Sequence, residues 1–132
     1  MNDTQTAARD IYAEADRAGK LALMACVPDP MIVTPVDLRG CMIGPSDFIP
    51  DGVCGFAWVS IRPASPSGRT DCPFVAWLRK NGIGRYDSYG KAWSIWVNHG
   101  NQSMTKKEAY AEAFASVLTA YGISAYAGSR MD

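Results

Sequence analysis

Apolar positions along the chain follow three successive rhythms. From Thr4 to about Cys26 they recur at helical spacing, with Ile11, Ala15, Ala18 and Ala22 on one face and Leu21 and Leu23 beside it. Asp3 or Thr4 is placed to cap this helix, Gly19 weakens it, and Pro28 ends it. Its face is mostly alanine, so it permits close approach but buries little area and would be marginal alone. From Val27 onward the pattern breaks at Pro28, Pro30, Pro35, Pro45 and Pro50 and at Gly40 and Gly44. The run PMIVTPVDL within it still holds Met31, Ile32, Val33, Val36 and Leu38. Residues 27–53 are therefore expected as an extended, Pro-rich arm packed on the domain, following an N-terminal helix over 1–26.

From Cys54 to Asp132 the rhythm becomes regular. Gly55–Ile61 alternates as a strand, Pro63–Gly68 reads as a loop, and Thr70 or Asp71 opens a helix whose face carries Phe74, Trp77 and Leu78. Asn81-Gly82 closes it. A short strand over Ile83–Tyr86, a turn over Asp87–Gly90 and a strand over Ala92–Asn98 follow. Thr105-Lys106-Lys107-Glu108 has the form of a capping box. Behind it, Tyr110, Ala113, Phe114, Val117, Leu118 and Tyr121 make a helical stripe, Gly122 stops it, and Ile123–Ala127 is a last strand. The order β-α-β-β-α-β over 54–132 matches the split-βαβ, ferredoxin-like plan, an α+β domain with both helices on one face of a four-stranded antiparallel sheet.

That plan assigns sides to the strand residues, because neighbours in a strand point to opposite faces. Ala57, Val59 and Ile61, with Trp93, Ile95 and Val97, suit the face under the helices. Phe56, Trp58 and Trp96 then share the opposite face with Ser60, Ser94 and Asn98. Aromatic surface of this size on a sheet face asks for a cover. The arm, a second copy of the chain, or a stacked ligand would each serve, and the arm is the first choice. In that case the working surface shifts to the hairpin carrying Arg85, Tyr86 and Tyr89, residue types frequent at interfaces.

Composition narrows the function classes. The chain has 132 residues, 48% hydrophobic and 20% charged, with a net charge of zero, so a packed core is expected and no bulk electrostatic attraction follows. Charge is uneven. Residues 54–132 hold nine Lys/Arg against five Asp/Glu, a balance of +4 that residues 1–53 cancel. The N-terminus has no basic start or long apolar run, which implies no signal peptide, no membrane span and a cytoplasmic setting. Cys26, Cys41, Cys54 and Cys72 lie far apart, with no C-x-x-C pair, and read as free thiols, so no metal is expected. His99 is the single histidine, and its spacing to Cys54 or Cys72 asks for no nucleophilic set. No catalytic residue and no cofactor is assigned.

Two resemblances bear on function. The stretch Tyr89-Gly90-Lys91-Ala92-Trp93-Ser94-Ile95-Trp96 resembles the third-strand signature of RNA-recognition-motif proteins in Gly90 and Ala92, with Trp93 and Trp96 as aromatic substitutes and lysine at the first stacking position. It implies a single-stranded nucleic acid stacked on the aromatic sheet face. The succession GVCGFAWVSIRPA, FVAWLRKNGIGRYDSYG, WSIWVNHGNQSMTKKEAYAEAFASVL and YGISAYAGSRMD resembles small proteins of unassigned function from tailed phages and related mobile elements. It implies a non-enzymatic protein that binds a host or viral macromolecule, such as an inhibitor of host defence. Protein binding is therefore the first expectation, nucleic-acid binding the alternative, and homodimerisation is compatible with both.

Overall fold

The computed structural model describes residues 3–27, 31–33, 47–49, 54–99 and 103–131. Helix α1 (Asp3–Ala25) is followed by two short strands, β1 (Met31–Val33) and β2 (Asp47–Ile49), which pair with each other antiparallel. Then come β3 (Gly55–Arg62), α2 (Pro73–Lys80), β4 (Arg85–Asp87), β5 (Ala92–Trp96), α3 (Met104–Ala120) and β6 (Ser124–Met131). The last four strands form one antiparallel sheet in the order β4-β5-β3-β6. The protein is thus α+β, with an N-terminal helix and a four-stranded antiparallel sheet. The expected packing of the arm over Pro30–Leu38 lies largely outside the described residues.

The alternation in β3 is resolved as its side chains demand. Ala57, Val59 and Ile61 are buried beside Phe74, Val75 and Leu78 of α2 and Phe114 and Leu118 of α3. The β3–β5 register pairs Val59 with Ile95 and Ile61 with Trp93, and directly opposed residues share a face. Helix α1 joins the same core through Ala8 and Ala15. Its Gly19 has a reason in packing: a Cβ there would stand 2.7 Å from ring carbons of Tyr110 on α3. The Tyr110 hydroxyl donates to the Asp16 carboxylate one helical turn earlier on α1. Burial, then this carboxylate, pushes the Tyr110 phenol well above its ordinary range, so it stays a donor.

Local details depart from the sequence reading at helix starts and strand ends. Ser103, not Thr105, caps α3, its buried hydroxyl accepting from the Lys106 N–H at 3.3 Å. Ser103 is also bridged to Cys54, which draws the helix start back to the sheet. Cys72 occupies the N-cap of α2 without a side-chain cap bond, and Pro73 supplies the first turn. Asp71 is otherwise engaged, accepting from Arg79 Nε at 2.7 Å and from the Ser65 N–H at 2.9 Å. Strand β4 starts at Arg85 rather than Ile83, and β6 runs on to Met131 rather than stopping at Ala127, paired with β3 throughout.

Candidate functional site: the aromatic sheet face

On the face away from α2 and α3, Phe56, Trp58 and Trp96 form one cluster. The Trp58 and Trp96 rings are 5.3 Å apart and tilted, and Phe56 meets Trp96 edge-on at 5.7 Å. These are distances at which ring quadrupoles favour the contact. All three side chains are half-buried, while Ser60 and Ser94, the next opposed pair along the strands, are buried. Register produces the cluster, because Trp58 is opposite Trp96 on β5 and opposite Gly128 on β6. The glycine is required there. A Cβ on residue 128 would lie 2.6 Å from the Trp58 indole, which rests against the bare backbone.

Beside the indoles lies a hollow of about 370 Å³ lined by Trp58, Trp96, Ser94, Arg85, Tyr86, Asp87, Ser88 and Arg130. Two guanidiniums and one carboxylate line the hollow. Arg130 stands over the Phe56 ring at 5.5 Å, and Lys107 reaches the same ring at 5.5 Å while donating to the Gly55 carbonyl. Among the described residues neither Arg85 nor Arg130 has an ion-pair partner. Asp87 is held in the turn by the Tyr89 N–H at 3.1 Å. The site therefore offers stacking surface, two guanidinium forks and hydroxyls, a set suited to planar rings and anionic oxygens.

Of the residues singled out in the sequence, the structure brings Phe56, Trp58, Trp96 and Arg85 together. Tyr86 contributes to the lining of the hollow, but it pairs with Trp93 and packs against the core rather than joining the aromatic cluster. Tyr89 stands 99% exposed at the turn, beside a separate depression shared with Arg62, Pro63 and Lys91. The signature-like stretch does not lie as the resemblance would have it. Lys91 sits in the turn with φ of 52°, outside the strand, and Trp93 is buried, so Trp96 is the residue of β5 that meets Trp58. Arg130 lies beyond the strand over Ile123–Ala127 that the sequence predicts, in the part of β6 that runs on to Met131. Continuing the period-two alternation through Tyr126 and Gly128 places it beside Phe56.

The other candidate chemistry is dispersed. His99 lies against Tyr110, with ring centroids 5.1 Å apart. Cys26, Cys54 and Cys72 are free thiols, and Cys41 lies outside the described residues. Among the described residues no cluster of His, Cys, Asp and Glu is grouped to hold a metal ion, and no helix is long and apolar enough to cross a membrane. No protein-family model, no curated protein and no solved structure matches the chain.

Proposed function

We propose that this protein is a non-enzymatic binding module that takes a single-stranded nucleic acid on the aromatic sheet face. The observation that carries the reading is the Trp58–Trp96 pair bordered by Arg85 and Arg130, none of which the core requires to be there. Stacking on indoles tolerates any base, and guanidinium forks follow phosphates. The reading includes the ferredoxin-like plan. The order β4-β5-β3-β6 supports it by making the first and third strands of residues 54–132 central, where an aromatic platform is widest.

Fluorescence anisotropy with a labelled pyrimidine oligonucleotide tests the reading. Trp58→Ala is expected to weaken binding by roughly tenfold or more while the fold persists, since stacking contributes about 1–3 kcal/mol per base. Tyr89→Ala is expected to bind as wild type. Equal binding by wild type and Trp58→Ala would remove the sheet face from the account.

A second reading is favoured by one observation, the full exposure of Tyr89 at the β4–β5 turn. An aromatic held in solvent there suits contact with a protein, host or viral. Affinity capture from lysate, with and without nuclease, separates the two readings. Partners that persist after nuclease and are lost in Tyr89→Ala would favour the hairpin.

A further inference from the structure

We propose that two copies of this chain join through the outer edge of β6 to form one continuous sheet. In an antiparallel pair, opposed residues alternate between exchanging and not exchanging backbone hydrogen bonds. The Val97 N–H donates to the Ala57 carbonyl at 3.0 Å, so the odd-numbered residues of β3 turn their backbone groups toward β5. The even-numbered residues of β3 then face β6, where Phe56 opposes Arg130, Trp58 opposes Gly128 and Ser60 opposes Tyr126. It follows that Ala125, Ala127, Ser129 and Met131 direct N–H and C=O groups away from the sheet. The Thr119 hydroxyl, which donates to the Ala115 carbonyl at 2.9 Å, lies 3.4 Å from the Ala125 carbonyl oxygen, in agreement with this sense.

Among the described residues this edge lacks the usual protections. It runs eight residues, contains no proline, carries one charged residue, Arg130, and pairs along its whole length with β3 without a bulge. The occupant that fits is the same strand turned about a two-fold axis, because antiparallel pairing of identical strands is self-complementary. An axis through Ala127 pairs Ala127 with its copy and Ala125 with Ser129 of the second copy. Arg130 then meets Ser124 rather than another arginine. Met131, 65% exposed, meets the half-buried Ile123 at each end. On the helix side the central residues Ala125, Ala127 and Ser129 are small, and on the other side Tyr126 opposes Gly128 of the second copy, so two backbones can approach to the ordinary strand spacing. Paired residues share a face, so both aromatic clusters lie on one side of an eight-stranded sheet, the two copies of β3 roughly 14 Å apart at ordinary strand spacing. The inference stands on backbone geometry and does not depend on the ligand.

Sedimentation equilibrium of the full chain reads it directly. Wild type is expected to dimerise in the micromolar range, and Ser129→Lys to raise the dimer dissociation constant at least tenfold with an unchanged circular dichroism spectrum. Ala127→Cys tests the register, since the two copies of that residue would sit at the spacing a disulfide needs. Mild oxidation is expected to cross-link it into a dimer. A wild type that stays monomeric up to millimolar concentration would overturn the proposal, as would a dimer insensitive to Ser129→Lys or one in which Ala127→Cys does not cross-link.

Discussion

Gly19 shows how a residue can look like a flaw in the sequence and be a requirement in the fold. Glycine within a helix costs about 1 kcal/mol relative to alanine, so Gly19→Ala at an open site would stabilise α1. Here the Tyr110 ring occupies the space of the missing Cβ and is tied down by Asp16. Gly19→Ala is therefore expected to lower stability by about 1–3 kcal/mol through overpacking, measured as a fall in the urea midpoint. A rise in the midpoint would show that α1 does not press on α3. Phe114 was readable from the sequence as the centre of the last helical stripe, and it is completely buried. Phe114→Ala is expected to cost about 3–5 kcal/mol and lower the melting temperature by roughly 10 °C or more. Gly19 could be read only as a weak point, because close approach depends on which residue of a distant helix faces it.

Among the elements, α2 depends on charge as well as on its apolar face. Burial raises the Asp71 carboxyl, but the Arg79 guanidinium and the Ser65 N–H outweigh it, so the group sits below the ordinary carboxylate range. Arg79 in turn lies over Trp93 at 4.5 Å and donates to the Ser65 carbonyl at 2.6 Å, joining the helix to the β3–α2 loop. A depressed carboxyl stabilises the fold above its unfolded value near pH 4, and that contribution is lost as pH falls through the folded value. Asp71→Asn is expected to be less stable than wild type at pH 7 and to show a shallower loss of stability as pH falls below about 4. Identical acid limbs in the two proteins would show that the pair contributes nothing. Periodicity revealed α1, α2, β3, β5 and α3, because amphipathic faces are repeated local signals. It did not reveal that Asp71 belongs to Arg79 rather than to a helix cap, since polar side chains choose partners in three dimensions. Nor did it mark the end of β6, which runs past Ala127 through Gly128, where the bare backbone makes room for Trp58.

For the whole molecule, the sidedness of the sheet was legible and the composition of its outer face only partly so. Branched and small residues at 57, 59, 61, 95 and 97 announced the covered side, leaving Phe56, Trp58 and Trp96 on the other. The cationic flank came from two separate pieces of chain, Arg85 on β4 and Arg130 on β6, joined only by strand order. The central claim is that this flank and the indoles act as one site for a phosphate-linked strand. The salt dependence of oligonucleotide affinity measures it most directly. Each phosphate neutralised on a single strand contributes about −0.7 to the slope of log affinity against log salt. Wild type is predicted to bind with a distinctly negative slope, and Arg85→Ala and Arg130→Ala each to make it shallower by about 0.7. Oligonucleotide affinity that is independent of salt, or slopes unchanged in both arginine variants, would contradict the account.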